Sequence, residues 1–479
     1  MRDGQRVAVN TLVMLAKQAM LAVLSVAFVG YMARKLGVAA WGEFQASLAI
    51  VMVVTIVAGI GVRGYLAREI AVRPELGPDH LGSALLIRGV TGLVVLLITV
   101  LVALSTRSVG GVLVTIAAVS QLTTLLYSTM WLSFEAHERF QYILYAELGA
   151  RLFVTSVASA LLALGYGVIA AALAFLGGNV LELVLTYIFV VKKLYRPRYH
   201  VDPRALYTIA KAALPIGVLG AIATAMQQSD RVMLRILSGD AAVGVYSAAW
   251  VLSENFNLIS DLFLGAAFAA AMRLFANDRP AFARLYQSCM LVAAILGFPI
   301  AAGLYLIAPE LIQLIYGRGG YSASAHVLQI LACQLPLTFA FQVGTLPLLA
   351  QKRELDLAKL LAAGLVANVL LNLALIPRFG PTGSAMATLV VAAGTLLGSS
   401  RLSEVWVRQL EPRRFASVAG ATLVMALAAW SALRWLNMWA AIGAGIIAYV
   451  GALLLLRALT WNELLDFLRR DPSREAAIS

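Results

Sequence analysis

The chain has 479 residues, 61% of them hydrophobic and 13% charged, with 37 Lys and Arg against 24 Asp and Glu and a formal net charge of +13. Soluble domains carry about 45–50% apolar and about 25% charged residues, so this composition excludes a soluble globular protein. The basic residues stand between long apolar stretches, without the run of cations interleaved with aromatics that would suggest nucleic acid, so no nucleic-acid partner is expected.

The first six apolar windows, each close to the roughly 20 residues a membrane helix needs, lie near residues 10–31, 43–62, 84–104, 110–133, 143–164 and 167–191. Met1 to Arg6 is basic, but Lys17 and Gln18 interrupt the apolar run behind it and no small-residue cleavage site follows, so the segment reads as an uncleaved first span. Residues 192–211 are polar and hold Lys192, Lys193, Arg196, Arg198, Arg204 and Lys211. Further windows follow near 212–234, 243–270, 284–307, 325–350, 357–376 and 381–400, and two more near 416–434 and 438–457. The runs are continuously apolar, not alternating with period two, which excludes a β-barrel.

The expected fold is therefore an all-α polytopic membrane protein of about 14 transmembrane helices. Its expected divisions are an N-terminal six-helix lobe at 1–191, a cytoplasmic basic linker at 192–211, a C-terminal six-helix lobe at 212–400, and two extra helices with a cytoplasmic tail at 401–479. With the N-terminus inside, about 26 of the 37 Lys and Arg fall on the cytoplasmic side, which orients the chain with both termini there. Gly165-Tyr166-Gly167, on the outer side, carries no charge.

An internal repeat supports two lobes. Met32, Arg34, Leu36, Gly37, Ala40, Gly42, Phe44 and Ala46 follow the first span, and Met233, Arg235, Leu237, Gly239, Ala242, Gly244, Tyr246 and Ala248 follow the seventh in the same order, with one inserted residue. Six spans between equivalents restore the same orientation, so the halves run parallel, and transporters built this way bind substrate near the midplane.

These segments carry a resemblance. Arg34 to Phe44, the Gly59-Ile60-Gly61 that ends the second span, and Ser229-Asp230-Arg231-Val232-Met233-Leu234 followed by Val243 to Ala248 resemble the polysaccharide and O-antigen flippase family of the multidrug/oligosaccharidyl-lipid/polysaccharide exporter superfamily. The resemblance covers roughly residues 1–400 and implies a V-shaped pair of six-helix lobes that moves undecaprenyl-pyrophosphate-linked oligosaccharide between leaflets. It also implies a lipid-linked oligosaccharide substrate, membrane lipids around it, and polysaccharide polymerase and export machinery as partners. A bacterial cytoplasmic (inner) membrane location goes with that reading. It specifies the fold better than the substrate, and a cation-coupled drug or metabolite exporter of the same superfamily and a lipid II flippase stay open as alternatives.

A charge at the centre of a membrane helix costs about 2.5–3.5 kcal/mol on insertion scales, so intramembrane polar residues must face protein or water. Asn10, Lys17, Gln18 and Ser25 share a face of the first span, and Thr224, Gln227, Gln228, Arg231 and Arg235 share one of the seventh. Trp250, Glu254, Asn257 and Asp261 do so in the eighth, Glu147 and Arg151 in the fifth, and Asn368 and Asn372 in the eleventh. The expected substrate-binding set is Lys17, Gln18, Gln227, Gln228, Arg231, Arg235, Trp250 and Asn257. Lys17 has a second possible role, snorkelling to the interface, and Arg63 and Arg88 flank the cytoplasmic mouth. Glu254 and Asp261 are the candidates for coupling to H⁺ or Na⁺, with a counter-ion role as the alternative; Asp230 beside Arg231 reads as a helix-end pair. The chain has four His, and no H-E-x-x-H spacing, P-loop or Ser-His-Asp constellation occurs, so no metal, cofactor or catalytic function is expected. Pro215, Pro299, Pro336 and Pro347 within spans are candidate hinges.

Overall fold

A computed structural model describes the backbone of residues 2–56, 77–106, 109–199, 203–403 and 411–456; side chains at 2–23, 102, 104–106, 109, 203–216, 219, 258, 261–262 and 266 are not described. Among the described residues every regular element is an α-helix, as lipid demands, because a helix satisfies its own backbone donors and acceptors where no water can.

In chain order the helices are α1 (Arg2–Thr55), α2 (Gly77–Thr106), α3 (Val109–Ala136), α4 (Phe140–Ala163), α5 (Val168–Lys193), α6 (Pro203–Ser238), α7 (Asp240–Asn277), α8 (Arg279–Tyr316), α9 (Ser322–Ala350), α10 (Glu354–Phe379), α11 (Pro381–Leu402), α12 (Pro412–Trp435) and α13 (Met438–Leu455). α1 is two rods joined at Gly37, whose φ of 79° and ψ of 168° break the helical path. Counting those two rods, each expected apolar window has its own helix. Among the described residues, 11 helices are long and apolar enough to cross a membrane, and α6 and α7, which carry the longest polar stripes, are the remaining two. α8 and α9 continue through Pro299, Pro336 and Pro347.

Local chemistry sets several boundaries. The Asp278 side chain accepts from Ala281 N at 2.9 Å to open α8, and Asn437 caps α13 in the same way. Many hydroxyls inside the helices bond back to the preceding turn, as Thr55 to Val51 and Thr99 to Val95 at 2.7 Å, and so satisfy themselves in the apolar layer. The basic segment 192–211 is less of a linker than its composition suggests. α5 runs through Lys193 and α6 begins at Pro203, so helix occupies both its ends. Between them, the Tyr195 hydroxyl donates to Ser133 Oγ at 3.0 Å and Arg198 N donates to Pro78 O at 2.9 Å.

Two compact units organise the chain, and each draws on both halves of the repeat. The first unit comprises Gly30–Ser247 and Leu365–Pro381. In it α2, α3, α4 and α5 pack together around Leu81, Leu85, Met130, Phe134, Ile143 and Val190. The second comprises Met1–Val29, Ala248–Gly364 and Thr382–Ser479. There α8 packs on α9, and the hairpin of α12 and α13 lies on α8 around Leu291, Ala294, Val418, Ala421, Met425 and Leu453. The Tyr449 hydroxyl fixes that hairpin by donating to Ile295 O at 2.7 Å.

Candidate functional site

In the first unit, α6 presents Ser229 and Asp230 to Asn368 and Asn372, which sit one turn apart on α10. Asp230 is 1% exposed; one of its oxygens accepts from the Tyr246 hydroxyl at 2.6 Å and the other from Asn372 Nδ2 at 2.8 Å. Asn372 Nδ2 also donates to Asn368 Oδ1 at 3.0 Å, and that oxygen accepts from the Ser229 hydroxyl at 2.9 Å. Asn372 Oδ1 is buried with no hydrogen-bond partner among the described residues. A carboxylate taken out of water needs such donors. Asn372 Nδ2 thus bridges the carboxylate and the Asn368 amide oxygen, hard oxygen atoms of the kind that suit a small hard cation.

The expected substrate-binding residues of α6 flank this cluster in sequence and lie largely on another face of the helix. Gln227 is exposed, while Gln228 is buried and accepts from Arg231 Nη1 at 2.9 Å. Arg235 faces Asp240 across the turn between α6 and α7, with Nε and Oδ1 3.3 Å apart. In the second unit, Trp250, Glu254 and Asn257 are half-buried on α7, and Asn257 Nδ2 donates to Glu254 Oε2 at 2.9 Å. Lys17, Gln18 and Asp261 lie outside the described side chains, and Gly59, Gly61 and Arg63 lie outside the described residues. Arg88, expected at a cytoplasmic mouth, is 8% exposed about three turns into α2.

The second unit holds a groove of about 980 Å³ between α7, α8, α12 and α13. Phe256, Leu296, Gly303, Met425, Ile446 and Tyr449 line it, its surface is predominantly apolar, and Arg414, paired with Glu411 at 3.0 Å, stands at the end where α12 begins. Sequence reasoning missed this groove. Its only signal was that two apolar windows remained beyond the repeat.

The fold and these features define a multi-pass α-helical membrane protein of two repeated six-helix halves with two added helices. Residues 7–272 match the model of the polysaccharide biosynthesis protein family, more than half of the chain, and the protein belongs to that family. It is 25% identical over 382 residues to the "Probable low-salt glycan biosynthesis flippase Agl15" of Haloferax volcanii, covering 78% of each chain. It is also 25% identical over 301 residues to the "Probable lipid II flippase MurJ" of Bdellovibrio bacteriovorus, covering 57% of each. Among solved structures, it shares its fold with a lipid II flippase MurJ in an inward closed conformation, at a TM-score of 0.77 and 14% identity over 93% of this chain and 99% of that one. An inward-facing multidrug resistance transporter of the MATE family shares it at a TM-score of 0.63 and 16% identity, over 82% and 98%.

Proposed function

We propose that the protein is a flippase that carries a polyprenyl-pyrophosphate-linked oligosaccharide from the inner to the outer leaflet of the bacterial cytoplasmic membrane by alternating access, for cell-surface polysaccharide synthesis. The observation that carries this reading is the apolar groove walled by α12 and α13. A substrate with a sugar-phosphate head and a long isoprenoid tail needs a polar path and an apolar slot together, and the two helices outside the repeat supply the slot. Family membership and relatives named as flippases support the same reading.

The physical task is to move a charged head through lipid, where each unsatisfied polar group costs several kcal/mol. In this reading Lys17, Arg231 and Arg235 draw in the pyrophosphate by charge-assisted hydrogen bonds, while Gln18, Gln227, Gln228, Trp250 and Asn257 exchange hydrogen bonds with sugars. The tail occupies the groove, with Arg414 beside its headgroup end. Both termini lie in the cytoplasm, no bond is made or broken, and polymerase and export machinery receive the product.

Coupling is to H⁺ or Na⁺. Glu254 and Asp261 are the acids that spacing singles out for this, and Asp230, buried among Tyr246, Asn368 and Asn372, is a further candidate. A cation bound there neutralises Asp230 and biases the equilibrium between conformations. A cation-coupled drug exporter could also hold apolar molecules in such a groove, and efflux of a small drug separates it from the flippase. A lipid II flippase would use it equally, and competition between lipid-linked oligosaccharide and lipid II separates the two. The direct test is leaflet translocation of a labelled lipid-linked oligosaccharide in proteoliposomes, with and without an imposed H⁺ or Na⁺ gradient. Absence of protein-dependent translocation in every condition would overturn the reading.

A further inference from the structure

The repeat that orders Met32 to Ala46 against Met233 to Ala248 reappears as geometry within the first unit. Gly37 and Gly239, equivalent in the repeat, both adopt positive φ, 79° and 81°, and each ends one rod so that another can start. Five residues further on, the equivalents Gly42 and Gly244 meet across the repeat. A Cβ on Gly42 would overlap the carbonyl oxygen of Asp240, and one on Gly244 would overlap that of Val38. Val38 and Asp240 are themselves equivalent positions, so the crossing is reciprocal, each half laying its glycine on the other's first turn. Such two-fold reciprocity is what parallel repeats related by an axis along the membrane normal produce, and backbones approach this closely in membranes only where side chains are absent.

We propose that Gly42 and Gly244 form a paired closure, one glycine from each half, which seals the outer ends of the rods and has to part during each transport cycle. The proposal rests on the flippase reading for the word "outer" and for the cycle. Static packing glycines could sit anywhere along two helices. These two sit at matched positions just past matched helix breaks, where a rotation at Gly37 and Gly239 would separate them symmetrically. The pairing of Arg235 with Asp240 bridges the break at Gly239 and braces the closed arrangement there.

Lys35 and Ile236 are equivalent, exposed positions at the two rod ends and make reporters that leave the crossing intact. With Cys289 and Cys333 replaced by Ser, spin labels on Lys35→Cys and Ile236→Cys should give a short separation by double electron–electron resonance. Adding Gly42→Ala or Gly244→Ala should shift it to longer values, and an unchanged distribution in folded Ala variants would overturn the proposal. A short reducible cross-linker between the same two cysteines, with both glycines intact, should reduce translocation of labelled lipid-linked oligosaccharide to background, and reduction should restore it. Full translocation by the cross-linked protein would equally overturn the closure, and this arm decides if the Ala variants do not fold. Protein that translocates nothing before cross-linking refutes the flippase reading and leaves the distance measurement to judge the closure.

Discussion

At the scale of single residues, Asp230 shows how the site differs from its reading in the sequence. Beside Arg231 it looked like half of a helix-end pair, whereas its described hydrogen bonds run to Tyr246, 16 residues on, and to Asn372, 142 residues on. Helical spacing reports which residues share a face of one helix, so Asn368 and Asn372 were legible as a stripe and Gln228, Arg231 and Arg235 as another. It does not report which stripe meets which. Tyr246→Phe removes one of the donors that hold the buried carboxylate and should cost about 1–3 kcal/mol, read as a lowered midpoint of unfolding in detergent. Asp230→Asn keeps the size of the side chain while removing its charge. It should abolish the dependence of translocation on the coupling gradient with the protein still folded, and gradient dependence equal to that of the unmodified protein would place the coupling ion elsewhere.

Among the elements, helices were the easiest part to foresee, because continuous apolar runs of membrane length admit no other hydrogen-bonded solution. The break at Gly37 was visible only as a glycine in a repeat, since a kink of this kind depends on backbone angles. It gives a clean contrast with Gly42. A Cβ on Gly37 meets nothing within 4 Å, so Gly37→Ala should cost only the strain of a non-glycine residue at φ 79°, about 1–3 kcal/mol. Gly42→Ala instead meets a backbone carbonyl in an ordinary helical conformation, and its effect should fall on the distance between rod ends. The groove lay beyond sequence reasoning for another reason. Its walls are apolar residues of α7, α8, α12 and α13 that are indistinguishable in composition from lipid-facing ones, and only packing separates a slot from a surface. Gly303 lines it, and a Cβ there meets nothing within 4 Å, so Gly303→Phe should narrow the slot from a position with room for the start of a side chain. Translocation should fall strongly while unfolding stability stays near that of the unmodified protein; normal translocation would show that the tail travels elsewhere.

For the whole molecule, the charge of +13 divides into orientation and function. In the expected orientation about 26 of the 37 Lys and Arg fall on the cytoplasmic side and concern only which loops stay there. That claim can be checked with single cysteines at two exposed tyrosines after Cys289 and Cys333 are replaced by Ser. Tyr199→Cys should react with an impermeant thiol reagent only from the cytoplasmic side and Tyr166→Cys only from the opposite side. Most of the remainder fall in outer loops, and only a handful, Lys17, Arg231 and Arg235 among them, share helix faces with amides and carboxylates, where the proposed function has them serve a head group that crosses lipid. The most direct measurement of that central claim is protein-dependent movement of a labelled lipid-linked oligosaccharide across reconstituted vesicles, compared between the unmodified protein and Gly303→Phe. Translocation is expected from the former and strongly reduced translocation from the latter. Vesicles in which the folded, unmodified protein moves no lipid-linked oligosaccharide, yet drives cation-dependent efflux of a small drug, would contradict it.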